Sequence, residues 1–241
     1  MLGLGLWLRL GLGCDNSWKA VISIFDNPSC ILLQETKLGA NFKYDLNSYV
    51  VFQKNRNSSG GGLLTAVVPN LEPYMVSTEN ESDEILVVQI KLGSLNVRLI
   101  NAYGPQDTDT STNRLNFWTS LESEINAAKS QNCCVIIEMD ANSKLGRDIL
   151  PGDPNLNMGN NGYELYNLLV RQSLHLLNKD YRCSGVITRY RETKIGVEQS
   201  ILDYMIVSDE LFEHFCSMYI DERRDFALTS YASKKGQKKV K

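Results

Sequence analysis

Eight apolar runs of five to eight residues are strung along this chain, and their shortness is what most limits the folds open to it. They are "CILLQ", "YVVFQ", "LLTAVV", "EILVVQIK", "NVRLINAY", "CCVIIEM", "GVITRY" and "SILDYMIV". Each is short for a helix, and several are apolar throughout or alternate apolar with polar residues, as strands do. Such runs bury their surface by pairing into a sheet-based core. "YVVFQ" and "LLTAVV" flank "KNRNSSGGG", a glycine-rich connection suited to a hairpin or a wide turn.

Helical periodicity falls between these runs. In "TNRLNFWTSLESEINAAK", Leu115, Trp118, Leu121 and Ile125 recur at three- and four-residue spacing, and Thr112 is the predicted cap. "YELYNLLVRQ" predicts a second helix, and "SDELFEHF" a short third with Ser208 as its cap and acids in its first turn. "WKAVISIF", Trp18 to Phe25, also has helical spacing and is stopped by "NPS". Strands in series punctuated by helices predict an α/β sandwich, with helices outside two packed sheets. At 241 residues and 43% hydrophobic, the chain can fill a sizeable core. No linker or internal repeat divides residues 14 to 233, so 14–241 reads as one domain after a low-complexity, apolar segment over 1–13.

That opening segment, "MLGLGLWLRLGLG", is too short to span a bilayer and is interrupted by Arg9, so no membrane partner is expected. The six cysteines show no CxxC spacing, which predicts reduced thiols in an intracellular protein rather than a disulfide framework or a zinc site. A net charge of −3 argues against wholesale wrapping of nucleic acid but leaves room for a local basic face. "SKKGQKKVK" at residues 233–241 reads as a solvated tail.

Four of the strand-like runs finish in, or carry, isolated polar groups. "ILLQETK" has Glu35, "LINAYGP" has Asn101 and Tyr103, "VIIEMDAN" has Asp140 and Asn142, and "SILDYMIV" has Asp203. Carboxylates at the ends of buried strands are costly unless paired or bound to a cation. Any one of them could be a turn former, but four together point to a site. His175 and His214 are the chain's two histidines, and both sit in apolar, periodic contexts. No P-loop, nucleophile elbow, HExxH or GxGxxG occurs. Oxygen ligands without thiol or imidazole favour Mg²⁺ or Mn²⁺, and Mg²⁺ held by one or two carboxylates plus substrate phosphate suits phosphoester chemistry.

"LQETK", "NAYGP", "MDAN" after an apolar strand, and "SILDYMIVS", in that order, resemble the endonuclease/exonuclease/phosphatase superfamily. Within it they most resemble the apurinic-type endonuclease domain of non-LTR (LINE-type) retrotransposons, as do "SSGGGLLTAVV" and "NRLNFW". The resemblance runs from about Trp18 to Ser208. It implies a four-layered, DNase I-like α/β sandwich of two packed mixed sheets flanked by helices, acting as a divalent-metal-dependent, DNA-nicking phosphodiesterase. Carried over by position, Glu35 is the metal ligand. Tyr103, Asp140, Asn142 and Asp203 are catalytic, and Asn101, Asn142, Thr188 and Arg189 bind substrate. The implied cofactor is Mg²⁺ or Mn²⁺, and the implied partner is DNA, met by a monomer in the nucleus. Reverse transcriptase would have to come from another part of the element.

Three departures from that pattern carry expectations of their own. Met139 replaces the glycine that usually precedes the aspartate. No Ser-Asp-His triplet occurs, and "SDE" at 208–210 follows the Asp203 strand too closely to stand for it. At the amino end, "MLGLGLWLRLGLG" stands where a strand carrying W-N-x-N is usual. The expectation is a domain lacking its first and last strands, with impaired catalysis. Two alternatives are a non-catalytic nucleic-acid-binding remnant, using Arg56, Lys144, Arg147 and Arg189, and a phosphoesterase acting on lipid or inositol phosphates.

Overall fold

The structure is a computed structural model that describes residues 28–39, 41–55, 61–76 and 82–222. The helix expected over Trp18 to Phe25, Cys14, Arg56, the opening segment and the lysine-rich tail lie outside the described residues.

Strands β1 (Cys30–Gln34), β2 (Val50–Lys54) and β3 (Leu63–Val67) form an antiparallel sheet in the order β1-β3-β2. The two runs around the glycine-rich connection therefore pair with each other, as their spacing predicts. A larger sheet is built from β4 (Tyr74–Met75), β5 (Ile85–Leu92), β6 (Leu95–Tyr103), β7 (Cys134–Asp140), β8 (Leu174–Leu176) and β12 (Asp203–Ser208). Its order is β4-β5-β6-β7-β12-β8, and the sheet is mixed: β6 and β7 run parallel, while the other neighbours are antiparallel. The parallel pair requires a crossover, supplied by helix α1 (Ser111–Ser130). Beyond the two sheets lie a parallel pair, β9 (Cys183–Ser184) with β13 (Met218–Tyr219), and a hairpin of β10 (Arg189–Thr193) and β11 (Gly196–Ser200).

Helix α1 and helix α2 (Asn160–Arg171) cover the outer face of the large sheet. There Phe117, Trp118, Leu121, Ile125, Leu165 and Leu168 pack on Ile100, Ile137 and Ile206. The Trp118 indole donates to the Asn161 side chain at 3.1 Å and ties the two helices together. Between the sheets, Leu32, Leu63 and Val67 meet Leu86, Val88, Leu99, Ile136 and Val207. Ile31, Leu33, Leu64 and Ala66 turn to the other side of the small sheet, against Leu46. This is the expected sandwich of two packed sheets, with helices on the large-sheet side among the described residues. No described helix is long and apolar enough to cross a membrane.

Several local expectations need correction. Helix α1 is capped by Thr110, whose hydroxyl accepts from the Asn113 amide, rather than by Thr112. Of the expected stripe, Trp118, Leu121 and Ile125 are buried together with Phe117, whereas Leu115 is 62% exposed. Ser208 does precede helix α3 (Asp209–Phe212), but its hydroxyl accepts from the Val135 amide and not from the helix. "GVITRY" becomes a strand only from Arg189 onward, and Ile201 and Leu202 separate β11 from β12 inside "SILDYMIV". The five described cysteines are free, with Cys30, Cys133 and Cys134 buried, as expected, but Cys216 exposed.

Tyr204 on β12 is fully buried on the helix side, and its hydroxyl lies 2.9 Å from the carbonyls of both Ser143 and Ile201. It thereby holds the loop after β7 against the start of β12. Tyr204→Phe is expected to lower stability by about 1–2 kcal/mol, through loss of the donor to buried carbonyls, readable as a lower urea midpoint with an unchanged slope.

Candidate active site

Strand pairing brings the predicted polar residues together. Tyr103 on β6 stands opposite Asp140 on β7, and Asp140 stands opposite Asp203 on β12. Residues paired across strands share a face, so the three form one row across the large sheet, facing the small one. One step deeper lies the row Asn101, Glu138 and Met205, and below it Leu99, Ile136 and Val207. The intervening residues Ala102, Met139 and Tyr204 point to the helix side. Met139 is accordingly fully buried in that core, on the face away from the site. Its bulk lies in a different layer from the row.

Glu35 reaches this row from the small sheet. β1 ends at Gln34, and Glu35 follows in the left-handed region at φ 52°, an unusual conformation for this residue. The Tyr103 hydroxyl donates to Glu35 Oε1 at 2.5 Å. Burial, reinforced by that hydrogen bond, pushes the Tyr103 phenol well above its ordinary value, so it remains a neutral donor. Lys37 lies 3.8 Å from the other Glu35 oxygen, with a half-exposed side chain and correspondingly little effect on stability.

Asn142 sits at φ 48°, a region asparagine tolerates well. Its backbone amide donates to Asp140 Oδ1 at 2.9 Å and its side chain donates to the Gly104 carbonyl at 2.9 Å. The Asn142 side chain exerts a smaller, opposing effect on the Tyr103 phenol. Gly104 is required here, since a Cβ would stand 2.8 Å from the Ala141 carbonyl. "NAYGP" and "MDAN" are thus locked to each other by the Gly104 amide on the Asp140 carbonyl at 2.7 Å.

The other expected residues are placed differently. Asn101 is fully buried, and its amide donates to the Leu33 and Leu64 carbonyls and accepts from the Gln34 side chain at 2.7 Å. It joins the two sheets from a fully buried position, whereas the sequence reading sets it against substrate. Thr188 accepts from the backbone amides of Leu202 at 2.9 Å and Asp203 at 3.2 Å, so its hydroxyl fixes the start of β12. Arg189 begins the β10–β11 hairpin directly beside it, partly exposed. Arg147 directs its donors to the Asp153 and Pro154 carbonyls, and Lys144 lies 3.7 Å from Glu198.

Neither histidine joins the row. His175 pairs with Val207, four residues along β12 from Asp203, or about 13 Å away. Its ring stacks on Phe212 with centroids 4.0 Å apart and bonds Asp209. His214 follows helix α3, at that same end of β12. Two residues were passed over in the sequence: Gln34, which orients Asn101, and Glu138, which shares the strand parity of Asp140 two positions earlier.

Among the described residues no three His, Cys, Asp or Glu side chains converge as a metal cage. The donor set still fits Mg²⁺, which commonly takes one or two carboxylates and completes its shell with water and phosphate oxygens. Glu35, partly exposed at the rim of the row, is the carboxylate suited to it.

No protein-family profile and no curated protein matches the sequence. The fold does match solved structures. The endonuclease domain of TRAS1, a telomere-specific non-LTR retrotransposon, superposes with a TM-score of 0.63 at 16% identity, over 86% of this chain and 85% of that one. The AP endonuclease LMAP from Leishmania major gives 0.65 at 15% identity, over 82% and 74%. A variant of the 3′ phosphatase NExo from Neisseria, bound to product DNA hairpin, gives 0.61 at 11% identity, over 86% of both chains. The chain therefore has the DNase I-like α/β fold of the endonuclease/exonuclease/phosphatase superfamily, to which the retrotransposon domain and the AP endonucleases belong.

Proposed function

We propose that this chain is a Mg²⁺-dependent DNA phosphodiester hydrolase of the LINE-endonuclease type, working slowly because no imidazole serves its site. The observation that carries this reading is the row Tyr103, Asp140 and Asp203, joined to Glu35 across the two sheets by the Tyr103 hydroxyl. Fold alone does not choose among phosphoesterases. The order of motifs and the DNA-processing neighbours favour DNA over lipid or inositol phosphates.

In this reading Asp140 accepts the proton of the attacking water, an oxygen–phosphorus bond forms, and the bond to the leaving strand's oxygen breaks, that oxygen taking up a proton from solvent. The second amide hydrogen of Asn142 donates to a phosphate oxygen as charge grows on it, and the Tyr103 hydroxyl, turning from Glu35, donates to another. Glu35 would hold a Mg²⁺ ion, which would supply neutralisation of that charge. Both histidines lie away from the row, and a missing acid–base group lowers rates by about 10²- to 10⁴-fold. The reading therefore includes impaired turnover.

With supercoiled plasmid and Mg²⁺, slow conversion to the open circle is expected, and chelation with EDTA should stop it. Binding that weakens steeply with salt while no product forms would select the alternative, a phosphate-binding remnant.

A further inference from the structure

One step below the row lies a carboxyl group that the proposed chemistry does not use. Glu138 stands two residues before Asp140 on β7 and so shares its face, opposite Asn101 on β6 and Met205 on β12. It is 1% exposed, and neither of its oxygens completes a hydrogen bond with the described residues. Among the described residues, the polar and titratable groups around it are Asp140 on its own strand, Asp203 diagonally across on β12, Asn101 and Tyr103 on β6, and Gln34 then Glu35 from β1. A long side chain can reach such a diagonal neighbour.

Among the described residues the Gln34 amide, which already donates to Asn101, is the donor that acts on Glu138. As a carboxylate, Glu138 would face another carboxylate inside a buried layer, the arrangement that forces one member of a pair to hold a proton. As a neutral acid it has a hydroxyl to donate, and the Asp203 carboxylate diagonally across on β12 can accept it.

We propose that Glu138 is a positioning residue, whose neutral carboxyl group accepts from Gln34 and donates to the Asp203 carboxylate, holding Asp203 in line with Asp140 and Tyr103. This rests on the proposed reading of the row. Burial first, and the Asp203 charge second, push the Glu138 carboxyl well above the ordinary glutamate value, against a smaller opposing effect from Gln34. Glutamine presents the same pattern as the neutral acid, one acceptor and one donor in the same place. Leucine fills similar volume and offers neither, and such apolar replacements of buried ionisable groups commonly leave the fold intact.

The test compares wild type, Glu138→Gln and Glu138→Leu as intact chains. Glu138→Gln should keep the wild-type nicking rate, while Glu138→Leu should lose about 10- to 100-fold in kcat, as small misplacements of reacting groups do, with little change in KM. Equal activity of the two variants would overturn the proposal. A second readout does not need turnover. A group that titrates higher when folded keeps its proton longer in the folded chain, so wild-type stability relative to Glu138→Gln should fall as pH rises above the ordinary glutamate value. The ¹³C carboxyl resonance of Asp203 should match wild type in Glu138→Gln and move in Glu138→Leu. A stability difference independent of pH, or an Asp203 resonance that ignores both variants, would overturn the assignment. Should wild type fail to nick while these two readouts hold, the hydrolase reading falls and the Glu138–Asp203 contact stands.

Discussion

Asp140→Asn is expected to lower the rate of plasmid nicking by about 10²- to 10⁴-fold while the protein stays folded. Asp140 is fully buried, and its Oδ1 accepts the Asn142 backbone amide that shapes the turn after β7. Asparagine keeps that acceptor, so the turn and the placement of Asn142 should survive. It removes the basic oxygen that takes a proton from water. The effect should therefore appear in kcat at saturating DNA, with the dissociation constant for DNA and the thermal midpoint close to wild type. A rate unchanged in Asp140→Asn would exclude Asp140 from proton transfer and leave the row a structural feature. This variant also separates the two readings of the site, because a phosphate-binding remnant has no rate for it to lose.

Asn101→Leu should produce the opposite signature, a large loss of stability. The Asn101 amide bridges the Leu33 and Leu64 carbonyls of the small sheet and receives the Gln34 side chain, all in the buried layer between the sheets. Leucine leaves those groups facing a methyl surface. Each buried polar group that loses its partner costs about 1–3 kcal/mol, so a total near 3 kcal/mol is expected even if the carbonyls keep other bonds. For a domain of this size that corresponds to a fall of about 6–12 °C in the thermal midpoint, measurable by circular dichroism. Catalysis should fall too, because Gln34 precedes Glu35 and Asn101 lies two residues before Tyr103 on the same face. A residue bound only to substrate would raise the dissociation constant for DNA with the midpoint unmoved. That result would restore Asn101 to the substrate.

Much of this architecture was legible as pattern. The short apolar runs became strands because alternation and β-branching suit a pleated, half-buried surface, whatever lies opposite. "MDAN" and "NAYGP" could be singled out because polar side chains at the end of apolar strands are conspicuous, and their elements did meet at one place. The α1 stripe is buried at Trp118, Leu121 and Ile125 as its period predicts, while Leu115 fits the period but faces solvent. Periodicity gives a helix's apolar side, while the angle at which it lies on the sheet decides where that side is covered.

What the sequence by itself determined is therefore the strand inventory, the crossover helix and the chemical types at the strand ends, because these depend on local spacing. Only the tertiary structure decided which of those polar residues lie together. Asn101 and Tyr103 differ by two positions and share a face, yet one is sealed between the sheets and the other meets Glu35 at the rim. His175 sits on a strand of the same sheet but beside the far end of β12. Glu138 was inconspicuous in the string "VIIEMDAN" until the register set it diagonally from Asp203 in a buried layer. Register and the packing of one sheet on the other set depth and neighbours, and those two quantities turn a carboxyl group into a base, a ligand or a neutral prop.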